Sequence, residues 1–133
     1  MPYMADPIVE AVQTRRVYAF MQTVYTNQYA TTRRTGRQLR SMLERAYEGR
    51  RMPELRLVTC ETSYYQPGDH IIALASHQRD YHTLLHEIVH AEGKRYWNHG
   101  PAFMRRYINK LVRFARCDEG YLILSALIFG VKL

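Results

Sequence analysis

The stretch His86-Glu87-Ile88-Val89-His90, followed after eight residues by His99-Gly100-Pro101, decides how the rest of this chain is read. On a helix, side chains four apart lie one turn apart on the same face. His86 and His90 can therefore offer imidazole nitrogens to one metal ion. Glu87, beside His86, can lean over a water bound to that ion. Two neutral imidazoles and a positioned carboxylate are the working parts of a zinc hydrolase. A catalytic zinc takes three protein ligands and keeps a fourth position open. His99 is the nearest candidate for the third.

Working outward, Asp80 caps a helix that runs from Tyr81 to about Glu92. Tyr81, Leu84, Leu85 and Ile88 share one face of it, and His82, His86 and His90 the other. His82 could orient a ligand, but its place near the helix start points to a partly exposed side chain. Gly93 lets the chain turn towards His99. Other third ligands fit less well. Tyr96 stands six residues after His90, where a metzincin places its third histidine, and tyrosine is a poor substitute. Glu92 points away around the helix, and nothing around Cys60 resembles a metal motif. Tyr96 could donate to a developing oxyanion, although packing is the commoner role for Tyr96 and Trp97.

Before this helix the pattern is that of strands. Leu55 to Cys60 alternates, Thr62 to Gln66 reads as a second strand, and Pro67-Gly68-Asp69 is a turn. Ile71 to Ala75 is a short apolar strand, and His70 and His77 are loop or strand-end residues. The expectation is a small antiparallel sheet of about three strands. If Ile71 to Ala75 lies at its edge, it could pair with an extended substrate.

Helices fill the remainder. Asp6-Pro7 reads as a helix start, with Ile8, Val12, Val17, Phe20, Met21 and Val24 as its core face. Thr35 to Gln38 has the form of a capping box, followed by Leu39, Met42, Leu43, Ala46 and Tyr47 on one face and Gly49 to end the helix. Its other face is basic, with Arg33, Arg34, Arg37, Arg40, Arg45, Arg50 and Arg51 in or near it. Gly100-Pro101 opens a helix with Phe103, Met104, Tyr107, Ile108, Leu111 and Ala115 inward. Arg105, Arg106, Lys110 and Arg113 face outward. Asp118 caps a last helix, with Leu122, Leu124, Ala126, Leu127 and Phe129 largely buried and Gly130 at its end. A buried strand is the alternative there, since periodicity does not separate the two in so short a run. The fold class is α+β, with four to five helices around the sheet.

Composition sets the frame. The 133 residues suit one domain with a real core, and 47% hydrophobic with 23% charged residues is ordinary for a folded protein. A net charge of +7 favours an acidic partner such as nucleic acid, set against a merely basic, soluble surface. Cys60 and Cys117 form no CxxC pair, so reduced thiols are the simpler reading. The N-terminus lacks the layout of a secretory signal, and the apolar run Tyr121 to Val131 is too short to cross a bilayer. A soluble, cytoplasmic protein is expected, with no membrane partner.

His86-Glu87-x-x-His90 followed by His99-Gly100-Pro101-x-Phe103 resembles the SprT/Spartan group of zinc metalloproteases. The order of elements is similar too: helices, a sheet ending in Ile72-Ala73-Leu74, the helix led by Leu84-Leu85, and one led by HGPxF. The resemblance covers about Leu39 to Leu111. It implies a zincin-like minimal metalloprotease domain, here 1–133, in which His86, His90 and His99 hold Zn2+ and Glu87 is the general base. It also implies a protein or peptide substrate and DNA-associated proteolysis. Family members often carry a C-terminal zinc ribbon or DNA-binding tail, and no such pattern is present here. A second class competes with the peptidase: a non-catalytic module with a structural metal and an arginine-rich, nucleic-acid-binding surface. It is indifferent to Glu87, whereas the hydrolase depends on it. A helical interaction protein with a chance motif is the third.

Overall fold

The computed structural model describes residues 7–93 and 98–133. Among the described residues six helices and three strands are formed: α1 (Pro7–Val24), α2 (Gln28–Thr31), α3 (Gly36–Ala46), β1 (Glu54–Val58), β2 (Tyr64–Gln66), β3 (Ile71–Ala75), α4 (Tyr81–Glu92), α5 (Pro101–Phe114) and α6 (Glu119–Ile128). The class is α+β, as expected. The helix count exceeds the expected four to five, the four-residue α2 being a single turn capped by Asn27. Asp6, Tyr96 and Trp97, assigned roles from the sequence, lie outside the described residues.

Helix α4 is the centre. It packs against α2, α3, α5 and the strands β2 and β3, so nearly all of its circumference is covered. Every residue from Tyr81 to Val89 is buried. Leu84, Leu85, Ile88 and Val89 join Phe20 of α1, Leu39 and Met42 of α3, Ile72 and Leu74 of β3 and Phe103 and Tyr107 of α5 in one core. Burying such side chains stabilises the fold by about 1.5–3 kcal/mol each before conformational entropy is set against it. Local chemistry fixes the start of α4: the Asp80 carboxylate accepts from the Thr83 N–H at 2.8 Å. The capping box of α3 is also present, with the Gln38 N–H on Thr35 Oγ1 at 3.2 Å and the Thr35 N–H on Gln38 Oε1 at 2.9 Å. That helix ends at Ala46 with Tyr47 as its cap, three residues before Gly49.

The sheet departs from expectation. It is mixed rather than antiparallel, in the order β1-β3-β2, with β1 parallel and β2 antiparallel to β3. The physical reason is burial. All five residues of β3 are buried, whereas β1 and β2 alternate with exposed positions. An unbroken apolar strand is most stable with a neighbour on both sides. Residues 59–63 make this possible, since five extended residues reach about 16 Å and two strand spacings need about 9.6 Å. Central placement also rules out β3 as a strand for pairing with a substrate. The edges are β1 and β2.

Three burial expectations are corrected. In α1, Val17, Phe20 and Val24 are buried, but Ile8 and Val12 at its start are exposed. In α6, Leu122 and Ala126 are buried while Leu124, Leu127 and Phe129 face outward, because among the described residues the main packing on this helix comes from α1 and α5. Lys110 of α5, expected at the surface, is 1% exposed. Its ammonium lies 2.9 Å from Glu92 Oε1 and donates to the Ala46 carbonyl at 2.8 Å. Helix α6 is a helix and not a strand. Gly130, at φ 71°, closes it with the Val131 N–H on the Ala126 carbonyl at 2.8 Å and its own N–H on the Leu127 carbonyl at 3.1 Å.

Candidate metal centre

Helical spacing does at His86 and His90 what the sequence suggests. Their Nε2 atoms lie 3.2 Å apart, and His99 Nε2 lies 3.2 Å from that of His86. All three ligand atoms fall within 4.8 Å of one another. Nitrogens bound to one zinc at about 2.0–2.1 Å in tetrahedral geometry are about 3.3–3.4 Å apart. The spacing therefore fits a metal, and three neutral imidazoles converging on one point have little other use for it. Among the described residues this is the one group of three histidine, cysteine or acidic side chains so placed. Cys60 is exposed and donates to the Thr62 carbonyl instead.

His99 is delivered by a turn in which Asn98 takes a left-handed φ of 44°. Gly100 and Pro101 then open α5 at its first turn. Helix α1 holds the ligand from behind. Gln13, buried on α1, donates through Nε2 to the His99 carbonyl at 3.0 Å, and the Tyr18 ring lies 5.8 Å from the His99 ring. Phe103, one turn into α5, touches all three imidazoles, with ring centroids 4.9, 4.5 and 5.0 Å from those of His86, His90 and His99. The sequence marked Phe103 as a core residue and as the end of the His99-Gly100-Pro101-x-Phe103 motif, with no contact to the imidazoles, and α1 only as packing. The spacing from His99 to Phe103, one helical turn, was the available signal for that contact. Nothing local marks Gln13.

No family model, curated protein or solved structure matches this chain.

The chemistry of the centre favours neutral ligands. Burial, then repulsion from His90, His99 and His82, holds the His86 imidazole well below its usual range. Burial, then His99, lowers His90 to about 3, and burial lowers His99 against the opposing pull of Glu10. Neutral imidazole is the form that binds a metal. Glu87 sits in the same apolar surroundings. Burial pushes its carboxyl up to about 8, and its Oε2 has no partner among the described residues. A cavity of about 420 Å³ opens over this group, walled by His86, Glu87, His90 and His99 and by Ser63, Tyr64 and Tyr65 at the β2 edge.

His82 is placed differently from expectation. It is 1% exposed, and its Nδ1 lies 2.8 Å from the hydroxyl of Tyr107 on α5. Burial lowers its pKa to about 4. It does not join the ligand group. His70 is a turn residue with a left-handed φ of 55°, bonded through Nδ1 to the Tyr65 hydroxyl at 2.7 Å. His77 stands in the loop after β3. Neither contributes to the centre.

Proposed function

We propose that this chain is a zinc-dependent peptidase of the SprT-like, zincin kind, acting on protein or peptide substrates. The observation that carries the reading is the convergence of three buried imidazole nitrogens beside a buried, unpartnered carboxylate. His86, His90 and His99 would hold the metal. Zinc bound there supplies Lewis-acid polarisation of a carbonyl and lowers the pKa of a water molecule towards neutrality.

The remaining work falls to the chain's own groups. Glu87 takes the proton from the attacking water and returns it to the leaving amine nitrogen. Its carboxyl, raised by burial, is pushed towards the range where a proton is both accepted and released near neutral pH, and a cation on the histidines opposes that shift. The Phe103 ring excludes water from one side of the ligands. The exposed edge at β2, which borders the cavity, pairs with an extended peptide in place of β3. Main-chain pairing of this kind orients the scissile bond with little demand on substrate sequence.

The test is cleavage of an unstructured protein such as casein by zinc-loaded wild type and Glu87→Gln, with and without DNA. Wild type cleaves. Glu87→Gln loses at least about 100-fold in rate and keeps one zinc per chain. Undiminished cleavage by Glu87→Gln sinks the assignment.

A second reading has one observation in its favour. Arg37, Arg40 and Arg45 on the outer face of α3 are exposed and form no ion pair among the described residues. A module that uses this face on nucleic acid, with a purely structural metal, binds DNA or RNA in a salt-sensitive manner indifferent to Glu87. No helix among the described residues is long and apolar enough to cross a membrane.

A further inference from the structure

Helix α6 is turned the wrong way for a chain that stays alone. Its inward face, packed on α1 and α5, carries Leu122, Ser125 and Ala126. Its outward face carries Tyr121, Ile123, Leu124, Leu127 and Ile128, which are between 38% and 70% exposed. At about 100° per residue these five cover roughly 160° of the helix circumference. From Tyr121 to Val131 no charged residue interrupts them. The side given to water is thus more apolar than the side given to the core. A single exposed leucine needs no explanation, but a continuous stripe marks a surface that something covers. We infer that a second copy of this chain covers it, the two α6 helices pairing antiparallel about a two-fold axis.

Charge selects the occupant and its direction, because the stripe runs from an acidic end to a basic one. Asp118 and Glu119 stand exposed at the start of α6. Lys132 and Arg16 stand exposed at its finish, where Arg16 Nη1 donates to the Gly130 carbonyl at 3.4 Å. None of the four forms an ion pair among the described residues. Arg105 shares the wall of a small cavity with Glu119 without pairing with it, and Arg116 is stacked on the Tyr29 ring at 3.9 Å. An antiparallel pair lays the acidic end of each copy beside the basic end of the other, twice by symmetry. A parallel pair sets like against like. With the axis near the middle of the stripe, Leu124 comes beside Leu127 of the partner subunit. Chains of net charge +7 repel one another, so self-association needs a face free of lysine and arginine, and α6 contains neither. The same lack disfavours a lipid surface, since helices lying in a headgroup layer carry basic side chains beside their apolar face.

Area sets the strength of the pair. Five side chains so exposed present roughly 500 Å², and two copies bury about 1,000 Å² between them. Phe129 and Leu133, also exposed, add to the rim. This is the low end of specific interfaces, so the pair forms at micromolar concentration and not below it. Helix α6 contributes nothing to the walls of the metal cavity, so the outcome here is separate from that of the peptidase reading.

The experiment is sedimentation velocity of the purified chain from about 1 to about 100 µM. Wild type passes from monomer to dimer with a Kd of about 10 µM. Leu127→Glu enters the pair twice and raises Kd by about 100-fold or more. Met52→Glu, at an exposed apolar position on the α3–β1 connection, leaves Kd unchanged. Because Leu127 is exposed in the single chain, its variant melts with wild type at concentrations where both are monomeric. Should it not fold, Ile128→Glu, at a similarly exposed position, gives the same loss. Glu119→Lys and Lys132→Glu each weaken the pair by about 3- to 10-fold, and the two together restore it to within about threefold. A chain still monomeric at about 100 µM overturns the inference, and binding of that monomer to phosphatidylserine vesicles gives the face to a lipid surface instead. A dimer untouched by Leu127→Glu has its contact elsewhere, and one indifferent to the charge exchange is not antiparallel. Either result overturns the inference as well.

Discussion

Helix α4 carries a buried polar cluster at each end of its second half, and the two differ in whether their atoms find partners. At the C-terminal end, Glu92 lies 2.9 Å from Lys110 through Oε1 and accepts the Glu48 N–H at 2.6 Å through Oε2. Lys110 also donates to the Ala46 carbonyl, and Arg113 holds Glu48 at 2.6 Å. This network ties the ends of α3 and α4 to α5 and pairs its charges, Glu92 Oε1 being met by the Lys110 ammonium as an ion pair and not by an aligned hydrogen bond. One turn earlier, three imidazole nitrogens face each other, and His86 Nδ1 and Glu87 Oε2 are buried without partners among the described residues. A satisfied buried network is how a fold holds itself together. A convergent, unsatisfied one is poised for something the chain does not supply.

The contrast predicts opposite responses to substitution. The largest effect belongs to the paired cluster: Lys110→Met removes the nearest cation from buried Glu92, leaving Arg106 at 3.6 Å, and lowers unfolding free energy by up to about 3–5 kcal/mol. Denaturant unfolding of the metal-free protein measures it, and a loss under 1 kcal/mol would show the network to be idle. His99→Ala in the same assay changes stability far less, because no partner is orphaned.

Next in size is the response to metal. Zinc at 100 times its Kd raises wild-type unfolding free energy by about 2.7 kcal/mol, and His99→Ala abolishes the gain. Because the free imidazoles are lowered by burial, protons compete with metal only at low pH. Zinc affinity should stay level as pH falls through 6.5, where an unshifted histidine site weakens. A drop beginning at pH 7 would contradict the buried, neutral ligand set.

Asp80 gives a smaller effect at the start of α4. Burial raises its carboxyl from 3.8 to about 6, against the lowering bonds from Thr83. The folded state thus holds this proton more firmly than the unfolded state does. The associated stability is full below pH 3.8 and is lost as pH rises through 6. Asp80→Asn keeps the capping oxygen without the charge. It should match wild type near pH 4 and exceed it by about 2–3 kcal/mol at pH 7, read from melts across that range. The smallest effect is at Phe103: Phe103→Leu costs about 1 kcal/mol and weakens zinc binding several-fold by loosening all three rings.

How legible the molecule was in its sequence follows from the range of the forces involved. Helix α4, its Asp80 cap and the His86–His90 pair rest on neighbours within one turn, and all were readable. His99 was reachable because its turn and the Gly100-Pro101 helix start are local signals. The mixed sheet was missed because alternation does not encode strand direction, although the unbroken Ile71 to Ala75 run pointed to a central strand. His82 and Lys110 were misplaced because a polar group is buried only when a distant partner meets it. Tyr107 is 25 residues beyond His82, and Glu92 is 18 before Lys110. The outward face of α6 was misread for the converse reason: nothing local says that no further layer covers Leu124 and Leu127.

X-ray absorption at the zinc edge of the purified chain, with its metal content determined, tests the central claim most directly. The account predicts one zinc per chain with three nitrogen ligands at about 2.0–2.1 Å, falling below stoichiometry in His99→Ala. A wild-type protein that takes up no zinc, or holds it in an all-oxygen shell, would contradict it.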